Sequence, residues 1–119
     1  MGLDMYLIPQ FKEDTLEESY DKFNVEIYWR KAYEIDEWFR KHGIPYRTPK
    51  EIENNYEVCK WIITRQTLRE FLAFCAHNMI DSEEDGEPSD LSVQCRMSLQ
   101  EIATNYQTNT TQWIYYASW

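Results

Sequence analysis

Ten consecutive residues, DSEEDGEPSD (81–90), hold six carboxylates and no base: Asp81, Glu83, Glu84, Asp85, Glu87 and Asp90. Carboxylates at alternate positions ahead of a glycine are the pattern of an EF-hand calcium loop. Asp81, Asp85 and Gly86 fall on positions one, five and six of that loop, and Glu83 is a near match at position three. Pro88 stands where position eight is usually hydrophobic, and Ser92 stands where the closing bidentate Glu belongs. Without that Glu the loop loses its main ligand. The segment therefore reads as a flexible, solvated acidic loop between helices, and no metal or other cofactor is assigned.

The remaining chemistry-bearing residues form no recognisable site. His42 falls in the last turn of an expected helix, where a cation complements the helix dipole. His77 follows Cys75 by two residues, a spacing that points the two side chains apart on a helix, so a zinc pair is not expected. Cys59, Cys75 and Cys95 are far apart, odd in number and without a C-x-x-C, which suits reduced thiols packed as small hydrophobes. Three glycines form no phosphate-binding loop, and no G-x-S-x-G is present. Catalysis is the lesser expectation, and no catalytic residue is assigned.

Recognition by surface fits the composition better. The net charge is −9, of which 81–90 supplies −6, leaving −3 for the rest of the 119 residues. A chain of this sign is unsuited to binding nucleic acid directly, because that interaction runs on Lys and Arg neutralising phosphates. Five Trp, nine Tyr and five Phe argue for a folded core. The closing WIYYASW cannot hide both faces in a one-sided sheet, so either Trp113 and Tyr115 or Ile114 and Tyr116 should stay partly exposed, which makes Trp113, Tyr115 and Tyr116 candidate contact residues beside the six acids.

The elements that would position these groups follow from periodicity. Residues 2–8 alternate as a strand closed by Pro9, and 10–23 read as a polar connection. Asn24 would cap a helix over 25–42, with Trp29, Trp38 and Phe39 inward, acid-first pairs such as Glu26 with Arg30 and Asp36 with Arg40, and a stop at Gly43. Residues 43–56 read as a loop with a helical turn at 49–54, and 57–63 as a strand. Thr64 caps a helix with Leu68, Phe71, Leu72, Cys75 and Met79 on one stripe. A further helix is expected over 90–106, with Ser98-x-x-Glu101 as a rival start, and TQWIYYASW closes the chain as a strand. The length suits one domain over 1–119. The expected fold is α+β, a small, mainly antiparallel three-stranded sheet packed against about three helices. MGLDMYLIPQ carries an acid and no basic run, so a signal peptide is not expected, and no apolar run is long enough to span a bilayer.

MGLDMYL, YWRKAYEIDEWF (28–39), WIITRQTLREFLAFC (61–75) and the closing YYASW together resemble a group of small bacteriophage and prophage proteins. These begin GLDMYL and carry a YWRKA-x-x-I-x-x-WF helix, and the resemblance covers about half the chain. Many members have His where Asp36 stands here. The resemblance transfers no catalytic residue. It implies a phage accessory protein working in the cytoplasm of a bacterial host. The leading expectation is a binding protein that inhibits a host factor, such as a defence protein with a basic nucleic-acid-binding cleft, through its acidic and aromatic surface. The alternatives are a small enzyme or metal protein, and a self-assembling protein that dimerises through the C-terminal strand as a sheet edge.

Overall fold

The computed structural model describes residues 2–78, 90–105 and 110–119. Among them the chain forms, in order, β1 (Asp4–Phe11), α1 (Leu16–Lys22), β2 (Ile27–Arg30), α2 (Tyr33–His42), β3 (Ile44–Tyr46), α3 (Pro49–Glu53), β4 (Lys60–Ile63), α4 (Arg65–Asn78), α5 (Asp90–Asn105) and β5 (Thr110–Ser118). All five strands join one antiparallel sheet in the order β2-β1-β5-β4-β3. No helix of the described residues is long and apolar enough to cross a membrane.

The fold is α+β, but the expected three strands and three helices are corrected to five of each. The largest change lies in 25–42, which is not one helix. Ile27 and Trp29 are buried while Tyr28 and Arg30 are exposed, the period of a half-buried strand. Lys31 then adopts φ 55, a left-handed conformation that ends β2, and its N–H donates to the Leu3 carbonyl at 2.7 Å. The helix begins only at Tyr33. Apolar residues at 25, 28, 29 and 32 fit a helical period by coincidence; pairing with β1 decides the outcome.

The polar connection over 10–23 contains the end of β1 and the whole of α1. Thr15 and Glu18 form a capping box there: the Thr15 hydroxyl accepts from the Glu18 N–H and the Glu18 carboxylate from the Thr15 N–H. Pro9 does not close β1, which runs on to Phe11 opposite β5. The 43–56 loop yields the edge strand β3 and, as expected, a helical turn, capped by Thr48. Gly43 does follow α2, but with φ −76 it needs no left-handed freedom. It is glycine because a Cβ would stand 2.8 Å from both the Phe39 carbonyl oxygen and Trp61 Cβ.

One sheet face carries Met5, Leu7, Trp29, Trp61, Ile63, Trp113 and Tyr115 into a core roofed by α2, α4 and α5. Trp29 Nε1 donates to Ser98 Oγ at 2.7 Å, and Ser98 in turn donates to the Gln94 carbonyl, so Ser98 is a mid-helix anchor rather than a helix start. Asp36 is buried too, accepting from the Tyr115 hydroxyl and, at 2.8 Å, from Arg40 Nε. The other face carries Tyr6, Ile8, Lys60, Ile114 and Tyr116, and α1 packs across part of it. Because β5 lies in the middle of the sheet, it offers no edge to a second copy; the open edges are β2 and β3.

Candidate interaction site around Glu26

At the end of the sheet where β1 finishes, β2 begins and β5 begins, the chain makes a short excursion over residues 23–26. Phe23 terminates α1 in a left-handed conformation (φ 51, ψ 45), its N–H donating to the Ser19 carbonyl at 3.2 Å. That conformation is uncommon for a bulky side chain and costs roughly 1–2 kcal/mol. The Val25 N–H donates to Phe23, and the Glu26 N–H donates to the Leu7 carbonyl at 2.8 Å, which docks the segment onto the sheet.

The excursion leaves an open cavity of about 470 Å³. Pro9, Phe11 and Phe23 supply apolar walls, Asn24 and Thr110 polar ones, and Glu26 a carboxyl group. Glu26 is only 9% exposed. Burial pushes its carboxyl up from an ordinary 4.5 to about 7, against the opposing effect of a hydrogen bond from the Trp113 indole. A buried acid of this kind, in a cavity and beside a strained backbone, is the combination that marks functional sites.

The surround is aromatic. Phe23, Val25 and Tyr28 are 39%, 36% and 45% exposed. Phe23 meets Tyr6 edge-on at 5.0 Å between ring centroids, and Tyr28 leans on the same ring at 5.2 Å. The Tyr28 hydroxyl donates to Asp4 at 2.5 Å, which holds the ring against the sheet. Exposed rings already fixed by neighbours lose little freedom on binding, which favours them as contact anchors.

A second cavity of about 430 Å³ lies between α1 and α3 and is lined by Tyr20, Tyr46 and Lys60, with Glu17 and Asp21 among the other lining residues. Lys60 is buried, stands 4.4 Å over the Tyr20 ring and pairs with Glu51 at 2.8 Å. Burial, with the neighbouring Tyr116, pushes the Tyr20 phenol up, and burial raises the Cys59 thiol. The cation in this cavity's wall is therefore already held by Glu51 and the Tyr20 ring, which gives Lys60 a packing role.

The residues expected from sequence distribute differently. Asp81, Glu83, Glu84, Asp85 and Glu87 lie outside the described residues, as does most of the calcium-like loop. Asp90 is exposed and opens α5, where its charge suits the helix N-terminus. Of the two alternatives for the closing strand, Trp113 and Tyr115 are fully buried, because helices cover that face of a central strand, and Ile114 on the other face is buried as well. Tyr116 is half-buried, stacked 5.7 Å from Tyr6 and edge-on to Tyr20. Cys75 and Cys95 are buried and hydrogen-bond to each other, and Cys59 is half-buried. His42 stacks on Trp38 at 4.1 Å, and His77 is exposed on α4. Among the described residues no group of three His, Cys, Asp or Glu is placed to hold a metal.

Glu26, Phe23, Val25 and Tyr28 were not legible as a site, because a helix over 25–42 puts Glu26 on a wet face beside Arg30. The one local signal was Phe23-Asn24 directly after a polar stretch, a break in the pattern. Compared with known protein families, with curated proteins and with solved structures, the chain finds no match.

Proposed function

We propose that this chain is a binding protein whose contact surface is the Phe23, Val25 and Tyr28 patch around the Glu26 cavity, and whose partner is a basic protein. The observation that carries this reading is a nine-tenths buried carboxyl group in an open cavity among exposed, pre-positioned rings. The charge balance supports it: −9 overall, with −6 in residues 81–90, steers toward a basic surface. The phage-like sequence segments support a bacterial host protein as the target, with inhibition as the outcome and the host cytoplasm as the setting. A basic nucleic-acid-binding cleft is the partner surface that this charge would fit.

The test is capture from host lysate by the wild-type chain, by a F23S/Y28S double variant and by E26Q, at low and high salt. The expected result is one basic protein, released by salt and lost in the double variant at a temperature where circular dichroism shows that variant still folded. Capture that survives both the double variant and high salt would refute this surface. A second reading has one observation behind it: a carboxyl poised at about 7 is tuned for general acid–base work at neutral pH. It requires an activity that E26Q abolishes without affecting partner capture.

A further inference from the structure

We infer that the cavity between α1 and α3 binds a small zwitterion, a free α-amino acid with an aromatic or apolar side chain. It shares no lining residue with the Glu26 cavity, so the inference stands apart from the partner reading. The cavity lies over one end of a row of residues that face one another across all five strands: Tyr28, Tyr6, Tyr116, Lys60 and Tyr46. α1 and its cap residue Phe23 cover the middle of that row, with Phe23 on Tyr6 and Tyr20 on Tyr116 and Lys60. Toward β3, α1 and α3 flank an opening of about 430 Å³ beside Lys60 and Tyr46. Small-molecule sites run from about 300 to 1,000 Å³.

The two helices bring opposite charge to it. Glu17 and Asp21 lie one turn apart on α1 and both line the cavity, while Lys50 lines it from α3. None of the three makes an ion pair among the described residues. Like charges at i and i+4 repel, and a cation between them removes the repulsion. Tyr46 lines the cavity too, and its hydroxyl makes no hydrogen bond among the described residues. Burial raises this phenol and the Glu17 carboxylate raises it further, which sets the two groups near each other. An ammonium has three N–H donors, one each for Glu17, Asp21 and the Tyr46 hydroxyl. The carboxylate of the same molecule then meets Lys50. Lys60 keeps Glu51 at 2.8 Å, which draws its positive charge toward α3. A plain amine would be repelled by the two lysines, and a plain carboxylate by the two acids, so the lining selects a molecule that carries both charges. The Tyr20 and Tyr46 rings and Pro49 give its side chain an apolar bed.

Titration of isotope-labelled protein with L-phenylalanine, L-leucine and L-methionine, followed by two-dimensional NMR, tests this. Saturable shifts are expected at the amides of Tyr20, Tyr46 and Lys50. Phenethylamine, which lacks the carboxylate, and hydrocinnamate, which lacks the amine, should each bind at least about tenfold more weakly than phenylalanine. Glu17, Asp21 and Lys50 are exposed, so E17Q/D21N and K50Q should keep the fold, which circular dichroism checks. E17Q/D21N should weaken phenylalanine at least about tenfold without weakening hydrocinnamate, and K50Q should narrow the gap between phenylalanine and phenethylamine severalfold. Y46F should weaken phenylalanine about fivefold. Absence of saturable binding by all three amino acids, shifts that map to another part of the sheet, or undiminished binding by E17Q/D21N would overturn the inference. Phenethylamine binding as tightly as phenylalanine would make the cavity a plain amine site and would equally sink it.

Discussion

Replacing Glu26 with Gln tests the electrostatics of the cavity without emptying it. Gln has the same shape and keeps an acceptor for the Trp113 indole. In the wild type the carboxyl ionises at about 7 in the fold and near 4.5 in the unfolded chain. Below pH 4.5 both states are protonated and the group is neutral to folding. As pH rises from 4.5 through 7, the unfolded chain gives up its proton first, so stability falls; above about pH 8 the loss is complete. Taken at face value that interval is worth about 3.4 kcal/mol. Water reaches the open cavity and screens the charge, so we expect roughly half, about 1.5–2 kcal/mol. The assay is urea unfolding of both proteins at pH 5 and pH 8, read as a difference of differences, so that every other titrating group cancels. Part of the fall is already past at pH 5, so the wild type should lose about 1–1.5 kcal/mol more than E26Q between the two pH values. A difference within error of zero, or of opposite sign, would show that Glu26 ionises normally and that its burial is solvated.

Four further outcomes follow from the geometry. Y115F removes the hydroxyl that bonds the buried Asp36 and should cost about 1–3 kcal/mol by denaturant unfolding. G43A forces a Cβ to within 2.8 Å of Phe39 backbone and Trp61, and should cost about 1–3 kcal/mol, seen as a lowered Tm. K60M leaves Glu51 without its partner at 2.8 Å; it should destabilise by about 2–3 kcal/mol, largely recovered in K60M/E51Q, as a double-mutant cycle would show. Neutralising the six acids of 81–90 should slow association with the basic partner proposed above and flatten its salt dependence while leaving dissociation almost unchanged, measured by surface binding kinetics.

Helices whose stripes lie on one continuous segment were readable from sequence. α4 has its Thr64 cap donated to by the Thr67 N–H at 3.2 Å, and its Leu68, Phe71 and Cys75 stripe faces the core. α5 starts at Asp90 with Cys95 and Ile102 inward. β1, β4 and β5 were readable as alternations, with ends shifted by a few residues. β2 and β3 were not, because three or four residues carry too little periodicity and their strand character comes from partners distant in the chain, Leu3 to Leu7 for β2 and Lys60 to Ile62 for β3. The site failed for the same reason. Glu26 is buried only because β2 exists, and Trp113 and Tyr115 are hidden only because β5 is central. Charge and aromatic content are legible in the sequence; which rings face outward is decided by topology.

The middle of the sheet is made from the two segments most distant along the chain. β1 hydrogen-bonds to β5 across eight aligned pairs, and β5 alone joins β1 to β4. Until residues 110–118 emerge during synthesis, the β2-β1 and β3-β4 ribbons remain two unconnected pairs, each too small to persist in water. Assembly of this sheet therefore waits for β5 and then completes in one concerted step with a costly long-range closure. Nascent chains halted before residue 110 should be held open, with Trp29 and Trp61 accessible to chaperones and proteases, and should order only once residues 110–118 are available for pairing.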